Sequence, residues 1–392
     1  MRTIPREAEG SLRELLRTFP VVLVHGPRQC GKSTLVRMAL PNWTHLDLER
    51  PSDHALLEAD LEGFLAANPR RLAIDESQRM LALFPALRHA IDRGKGSGRV
   101  VLTGSASPAI LRAASESLAG RIGLLELTPF TSRELDGRRA SRDRWFWGGL
   151  PPVHAVRGDT ARARWLDSYV STYLERDLPQ LGFRLPPTRM RNLWTMLTHV
   201  HGNLLNVSDL ARSLGVSSHV VAENIDVLEG TFMVRRLPPH FANVQKRLTK
   251  SPKVYVRDTG LLHFLAGLRA PAALTSWPLR GHSFEGLVVE EIASRAAREL
   301  VRPEISFWRT QSGAEVDLLI GTGKRLVPIE VKTSRSISGH DVRGLRECMT
   351  DLGIERGFVV TLGPDQRSLA PDIEIVPWDQ VASGAFDFGL GG

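Results

Sequence analysis

The feature that most constrains this chain is the octapeptide GPRQCGKS at residues 26–33, which has the spacing G-x-x-x-x-G-K-[ST]. An apolar run, VVLVH, precedes it, and a helical pattern, KSTLVRMAL, begins at Lys32. Glycines at this spacing let backbone N–H groups turn toward phosphate oxygens, and the helix N-terminus adds partial positive charge there. The motif in this context predicts a phosphate-binding loop on a parallel sheet, whereas a chance Gly-rich loop would lack these flanks.

The side chains of this loop have predicted tasks in binding ATP and Mg²⁺. Lys32 is a compact cation that reaches the β- and γ-phosphates, and Ser33 offers a hydroxyl oxygen to Mg²⁺. Lys32 also counts as catalytic, because the loop has no phosphate counter-charge without it. The predicted nucleotide-binding residues of the loop are Gly26, Pro27, Arg28, Gln29, Cys30, Gly31, Lys32, Ser33 and Thr34.

Two adjacent carboxylates, Asp75 and Glu76, follow a second apolar run within LAIDES at residues 72–77. At the tip of a strand beside the phosphate loop, Asp75 can hold the Mg²⁺ shell. Glu76 can orient and deprotonate the attacking water, which is the work of a general base. The alternative is an ordinary acidic cap after a strand.

Three further residues, at a strand end and before the next strand, have less specific signals. Thr103 and Ser105 end the strand RVVLTGS, where a polar side chain can contact the γ-phosphate or the water, although turn capping explains them as well. Arg121 follows a helical pattern and precedes the next strand. In ring-forming ATPases this location carries an arginine finger that acts on a neighbouring subunit, so Arg121 is a candidate catalytic residue, with a surface arginine as the alternative.

The order of sequence patterns predicts an α/β protein with three domains. In residues 1–150, apolar runs at 21–25, 44–48, 71–74, 99–104 and 122–127 alternate with helical patterns, which predicts a mostly parallel sheet. A Gly- and Pro-rich stretch near residue 150 indicates a boundary. Residues 151–275 are mainly helical, and residues 276–392 return to mixed helix and strand.

The middle region contains a predicted helix–turn–helix, VSDLARSLGVSSHVVAENIDVLEG, at residues 207–230. The basic stretch MVRRLPP that follows it predicts a β-wing, so the region has the pattern of a winged helix. In a DNA-binding winged helix the second helix enters the major groove. Its outer face would carry His219, Glu223 and Asn224, and the wing would carry Arg235 and Arg236. Because this face is not strongly basic, a protein-packing module or a lid of the ATPase is the alternative.

The C-terminal region contains the pattern D…ExK, formed by Asp317, Glu330 and Lys332 on two adjacent predicted strands. Paired carboxylates can hold Mg²⁺ near a scissile phosphate, and a lysine can orient water or stabilise developing charge. Glu285 on a preceding helix would complete a metal set with Asp317 and Glu330. A salt-bridged sheet surface or a nuclease fold without activity is the alternative. A following helix carries candidate phosphate-backbone contacts at His340, Arg343 and Arg346.

The charge of the chain favours an anionic partner. The formal net charge is +8 and the sequence pI is about 10.0, which points to nucleic acid before a membrane surface, with solubility as the plain alternative. The two cysteines, Cys30 and Cys348, form no disulfide framework, which fits a reducing compartment. The sequence has no secretory h-region and no long apolar segment, so we expect a cytoplasmic protein without a membrane span.

These motifs give the chain a resemblance to a known family. It resembles the AAA+ ATPases with a C-terminal DUF4143 domain in the stretches VHGPRQCGKSTL, LAIDESQ, VVLTGSAS, SLAGRIGLLELTPFTSRE, YLERDL, KSPKVYVRDTGLL, FEGLVVEEI and IEVK, which occur in the family's order over nearly the whole chain. The resemblance implies an AAA+ core, a helical and winged-helix middle, and a restriction-endonuclease-like α/β domain of the PD-(D/E)xK type at the end. It also favours a homo-hexamer.

Three functions agree with these observations. The first is an ATP-driven machine that remodels, translocates or processes branched DNA, with a nuclease-like C-terminal domain. The second is a nucleotide-gated switch that controls a protein partner or a DNA site without cleavage. The third is a stress or defence effector whose nuclease is released when nucleotide is lost.

Overall fold

The structure is a computed structural model that describes residues 4–94, 96–105, 108–135, 138–183, 185–240, 251–323 and 325–389. Contacts divide the chain into two compact units, Met1–Phe130 with Gly230–Phe232, and Thr131–Glu229 with Met233–Gly392. The Gly–Pro stretch near residue 150 therefore lies inside the second unit. In the sequence, one helix separates this stretch from Phe130.

The first unit contains a five-stranded parallel sheet with the strand order β2-β3-β4-β1-β5. Its central strands are apolar and buried, as expected of a parallel sheet that helices cover on both faces. The sheet confirms the predicted α/β fold of this region. The strands are β1 Val21–Gly26, β2 Thr44–Asp47, β3 Leu72–Asp75, β4 Val100–Ser105 and β5 Ile122–Glu126.

Alternate residues of these strands enter two separate apolar clusters, one on each face of the sheet. In β1, Val21 and Leu23 pack in the cluster that α3 to α6 cover, whereas Val22 and Val24 pack with α1 and α2. This alternation fixes the register of β1 against both of its neighbours. The helices are α1 Ala8–Thr18, α2 Lys32–Ala39, α3 Pro51–Ala59, α4 Leu61–Ala67, α5 Leu83–Asp92 and α6 Pro108–Ser117.

The second unit begins with a helical region and a small antiparallel sheet of order β6-β8-β7. The predicted helix–turn–helix corresponds to α12 and α13, which Gly215 joins in a left-handed conformation. The helices are α7 Arg138–Trp147, α8 Pro151–Ala155, α9 Asp159–Thr172, α10 Leu178–Gln180, α11 Pro187–His199, α12 Val207–Leu214, α13 Ser218–Gly230 and α14 Thr259–Leu265, and the strands are β6 Asn203–Leu204, β7 Val234–Leu237 and β8 Lys253–Val256.

The remainder of the second unit is a six-stranded mixed sheet of order β13-β14-β12-β11-β10-β9. Helices α15 and α17 pack on one face of this sheet and α16 on the other. A register shift between Val316 and Leu319 in β10 brackets Asp317. The elements are α15 Arg280–Glu299, β9 Glu304–Arg309, β10 Glu315–Thr322, β11 Arg325–Lys332, α16 Arg343–Leu352, β12 Gly357–Thr361, β13 Arg367–Ala370, β14 Ile373–Pro377 and α17 Trp378–Ser383.

Over the described parts of the chain, no helix combines the length and apolarity that crossing a bilayer requires.

Candidate functional site

The loop between β1 and α2 depends on two glycines. Gly26 has a φ of +152°, and a Cβ atom there would lie 2.2 Å from the carbonyl oxygen of Leu127. Gly31, with a φ of +98°, caps the start of α2 in a left-handed conformation. The glycine spacing of the motif thus follows from one close backbone approach and one left-handed turn.

The ammonium group of Lys32 is held against the inside of this loop. Its Nζ donates hydrogen bonds to the carbonyl oxygens of Pro27 at 2.9 Å and Gly26 at 3.2 Å, and the side chain is buried. These contacts keep a positive charge beside the backbone that the motif predicts as a phosphate cradle.

Ser33, Asp75 and Thr103 line one cleft at the carboxyl ends of neighbouring strands. Thr103 donates a hydrogen bond from its hydroxyl to Oδ1 of Asp75, and the backbone N–H of Glu76 donates to the same oxygen at 3.1 Å. A hydroxyl oxygen and a carboxylate facing one cleft are ligands that Mg²⁺ accepts. These residues therefore fit a Mg²⁺ ion that a bound nucleotide would share.

Glu76 has the surroundings of a general base. Partial burial raises the pKa of its carboxyl, and the charge of Asp75 adds to this rise, whereas Lys32 and the hydrogen bond from the side-chain amide of Gln78 oppose it. The residue is held at a φ of +56° in the left-handed region. Such backbone strain concentrates at functional sites.

The structure also places several other predicted site residues. The side chain of Cys30 is fully buried in the apolar cluster beneath the loop, so only its backbone can face a ligand. Arg28 lies 3.6 Å from Glu49. Ser105 pairs with Gly26 in the register of β1 and β4, while its side chain lies outside the described atoms. Arg121 forms two hydrogen bonds with the carboxylate of Asp92 on α5, at 2.7 and 3.2 Å.

Arg6 is a residue of this site that sequence reasoning missed. Its guanidinium donates to the carbonyl oxygen of Cys30 at 2.7 Å and to that of Thr128 at 2.6 Å, and it lies 4.9 Å from the centre of the Phe130 ring. The side chain is buried, so these charged hydrogen bonds fix the loop against the chain that follows β5. No local sequence pattern predicts that Arg6 anchors the loop.

The second unit brings the D…ExK residues near a lysine that the sequence analysis did not single out. Lys253, at the start of β8, is 1% exposed, and its Nζ lies 2.8 Å from Oε1 of Glu285 and 3.1 Å from Oδ1 of Asp317. It also pairs with Glu315. Glu330 pairs instead with Lys332, at 2.5 Å. We call Lys253, Glu285, Glu315 and Asp317 the acidic cluster.

The ionisation of these groups follows from their partners. Burial opposes the ionisation of Glu285, but Lys253, His282 and Tyr255 outweigh it and lower the pKa of Glu285 to about 2. Burial and the neighbouring Asp317 raise the pKa of Glu330 well above its usual range, although Lys332 opposes them. Oε2 of Glu330 is buried and accepts no hydrogen bond from the described residues.

The acidic cluster does not fit a metal ion. Among the residues that the structure describes, no three histidine, cysteine, aspartate or glutamate side chains are arranged to hold one. The predicted set of Glu285, Asp317 and Glu330 fails to converge on an open position, because the ammonium of Lys253 lies between the first two and Lys332 takes the third.

The predicted DNA-contact residues of the helix–turn–helix are mostly engaged within the chain. Asn224 is buried, so it does not lie on the exposed outer face of α13. Arg235 pairs with Glu290, and Arg236 with Glu229 and Asp226. By contrast, the phosphate contacts predicted at and before α16 are exposed; they are His340, Arg343 and Arg346.

Comparison with known proteins identifies the parts of the chain. Residues 18–136 match an AAA domain, residues 138–272 the domain of unknown function DUF8612, and residues 280–381 the domain of unknown function DUF4143. Among solved structures, the Walker-type ATPase PABY2304 of Pyrococcus abyssi is 16% identical, with a TM-score of 0.48 over 67% of this chain and 96% of that one. The RuvB Holliday junction branch migration motor of Thermotoga maritima is 22% identical, with a TM-score of 0.32 over 60% and 90%.

Two curated relatives match almost the whole chain. They are the uncharacterized proteins Rv2008c of Mycobacterium tuberculosis and Mb2031c of Mycobacterium bovis, each 42% identical over 97% of this chain and 86% of the relative. The chain therefore belongs to the same family as these mycobacterial proteins, a family of AAA-type ATPases with a C-terminal DUF4143 domain.

Proposed function

We propose that this chain is a Mg²⁺-dependent ATPase whose active site is built from the loop 26–33 and the tips of β3 and β4. The observation that carries the proposal is the shared cleft of Ser33, Asp75 and Thr103. Their chain neighbours Lys32 and Glu76 interact electrostatically with each other. Open α/β sheets bind ligands at the carboxyl ends of their strands, where these residues lie.

Each side chain of the proposed ATPase site has a different role in binding or hydrolysis. When bound, Mg²⁺ would stabilise charge on the phosphate oxygens, and Ser33 and Asp75 are the residues that would hold it. Lys32 offsets phosphate charge, and Glu76 accepts the proton of the attacking water, a role that its raised pKa suits. The hydrogen bond from Thr103 orients the carboxylate of Asp75.

The test is Mg²⁺-dependent phosphate release from ATP by the full chain and by Asp75→Asn. Asp47→Asn is the matched control, because Asp47 ends the adjacent strand β2 but does not line the cleft. We expect Asp75→Asn to reduce turnover by about tenfold or more, with Asp47→Asn near the wild type. Equal turnover by the wild type and Asp75→Asn would reject the metal assignment.

DNA is the proposed substrate of this ATPase, to be remodelled, translocated or processed at branches by a ring of subunits, a hexamer by family resemblance. The net charge of +8 supports an anionic partner. Exposed Arg343 and Arg346 on α16 supply phosphate contacts beside the acidic cluster, because a Cβ on Gly344 between them would lie 2.4 Å from the carbonyl oxygen of Glu315.

This part of the proposal is tested by the salt dependence of binding to duplex, branched and single-stranded DNA. Removing both cations, as Arg343→Ala with Arg346→Ala, is expected to lower the slope of log affinity against log salt by about 2 on duplex DNA. Arg17→Ala, at an exposed arginine of α1, is the control. If the chain binds none of these DNAs and its ATP turnover does not change when they are added, DNA is not the substrate.

A nucleotide-gated switch that acts without cleavage is the second candidate function. It is favoured by the engagement of Arg235 and Arg236 with carboxylates and by the lysine within the acidic cluster. Tight nucleotide binding with slow turnover that DNA leaves unchanged would support this candidate over the first.

A further inference from the structure

We infer that Lys253 is the resident cation of the acidic cluster, where its ammonium takes the place that a divalent metal ion would have in a D…ExK nuclease. Lys253 belongs to β8, outside the D…ExK strands, and reaches Glu285 on α15 as well as Glu315 and Asp317 on β10. The inference goes beyond the ATPase proposal and does not depend on it.

The stoichiometry of donors and acceptors supports this assignment. A lysine ammonium has three N–H donors, and Nζ of Lys253 has three carboxylate partners: Oε1 of Glu285, Oε1 of Glu315 and Oδ1 of Asp317. The group is 1% exposed, so water does not compete for these bonds. A buried cation in such a setting is stable only because its partners are anionic.

The carboxylate oxygens of the acidic cluster that do not contact Lys253 also have partners. Oδ2 of Asp317 accepts from the backbone N–H of Val331 at 2.9 Å, and Oε2 of Glu315 accepts from Arg309 at 2.6 Å. Oε2 of Glu285 lies 3.3 Å from Nδ1 of His282. The acidic cluster is therefore a complete hydrogen-bonded network, and a metal ion could enter only by displacing Lys253 from its partners.

Displacement of Lys253 by a metal ion would cost free energy, because it would leave a buried lysine without an anionic partner. The hydroxyl of Tyr255, two residues along β8, donates to Oε1 of Glu285 at 2.5 Å and ties the same strand to α15. Strand β8 is held in turn by pairing with β6 and β7. The acidic cluster thus joins the helical region to the C-terminal sheet, takes no divalent metal and supports no metal-dependent DNA cleavage.

The test is a titration of the nucleotide-free full chain with Mn²⁺, in which free Mn²⁺ is followed by its electron paramagnetic resonance signal. Asp317→Asn is the comparison, because the amide keeps the shape of the side chain. We expect the wild type and Asp317→Asn to bind the same amount of Mn²⁺. About one equivalent bound by the wild type and lost in Asp317→Asn would overturn the inference. No ATP is present, so either result is separate from that of the ATPase assay.

A second variant tests whether the lysine excludes the metal. Lys253→Met removes the charge at similar length, and we expect it to gain a Mn²⁺ site about tenfold or more tighter than any in the wild type, which a further Asp317→Asn change removes. Lys332→Met is the matched control and is expected to gain no such site. A site gained by Lys332→Met instead would overturn the assignment to Lys253. If Lys253→Met does not fold, the comparison of the wild type with Asp317→Asn still decides.

Discussion

The ammonium nitrogen of Lys32 lies 2.9 Å from the carbonyl oxygen of Pro27, five residues earlier in the same loop. A second loop carbonyl, that of Gly26, accepts from the same nitrogen. Both acceptors are neutral, whereas the oxygens of a triphosphate are charged and form stronger hydrogen bonds with a cation. A phosphate oxygen could therefore replace these carbonyl oxygens as the acceptor of the Lys32 hydrogen bonds without rearrangement of the backbone.

The first prediction concerns the close approach at Gly26. Gly26→Ala is expected to abolish nucleotide binding and to destabilise the chain by about 1–3 kcal/mol, because the new Cβ would meet the carbonyl oxygen of Leu127 and force the backbone out of place. The measurements are fluorescent-nucleotide binding and urea unfolding.

Gly10→Ala is the control for this substitution. Gly10 lies in α1, and a Cβ there would meet no atom within 4 Å beyond its own helix backbone and chain neighbours. Alanine should therefore stabilise the chain by about 0.5–1 kcal/mol and leave nucleotide affinity unchanged. If Gly26→Ala bound nucleotide as well as Gly10→Ala, the close approach would not matter for the site.

The second prediction concerns Arg6. Arg6→Ala removes two charged hydrogen bonds to the carbonyls of Cys30 and Thr128, so we expect a loss of about 2 kcal/mol or more in unfolding free energy and weaker nucleotide binding. Arg17→Ala, on the exposed side of α1, should change neither quantity. Unchanged nucleotide affinity in Arg6→Ala would mean that the loop keeps its shape without this anchor.

The third prediction separates the two roles of Arg121. Its bonds to Asp92 support a structural pair, and in that case Arg121→Ala and Asp92→Asn should have the same small effect on ATP turnover. If Arg121 is instead an arginine finger, it acts without Asp92, and only Arg121→Ala should lose turnover, under conditions where the chain oligomerises. Turnover at the wild-type rate in Arg121→Ala would remove the finger assignment.

The fourth prediction is a loss of stability in mild acid. Burial lowers the pKa of His263 to about 4, although its hydrogen bond with the carbonyl of Phe146 opposes the shift. Between that value and the ordinary histidine pKa of about 6.5, the unfolded chain binds a proton that the folded chain does not. The free energy of unfolding should therefore fall by up to about 1.4 kcal/mol per pH unit from this residue as pH decreases through that window.

Urea unfolding followed by tryptophan fluorescence, at about pH 7 and about pH 5, measures this effect. His263→Gln lacks the titrating ring, so its stability should depend less steeply on pH than that of the wild type. Identical pH dependence in the two proteins would assign the acid sensitivity to other groups.

Much of the first unit could be predicted from the sequence because its determinants are local. The predicted strands at 21–25, 71–74 and 99–104 agree with β1, β3 and β4 to within a residue at each end, since each is an apolar run between turn residues. Ser33 and the tip of β3 meet at one cleft, because all strands of a parallel sheet end at the same edge, including β1 and β3 on either side of β4.

The residues that the sequence did not reveal act over long separations. Arg6 contacts residues 24 and 122 positions away, and Lys253 contacts residues 32 and 64 positions away. No periodicity or spacing encodes such pairs. Helical periodicity predicts an outer-face position for Asn224, because periodicity does not distinguish a buried polar residue from an exposed one. The sequence predicts a basic wing with Arg235 and Arg236 but does not reveal their carboxylate partners, which come from the same chain.

The most direct test of the central claim is ATP hydrolysis by Glu76→Gln, measured together with retention of labelled ATP. We expect this variant to bind ATP as the wild type does and to hydrolyse it at least about 100-fold more slowly, because glutamine cannot accept the proton of water. Lys32→Ala, by contrast, should lose binding. Hydrolysis by Glu76→Gln at the wild-type rate would contradict the account of the site.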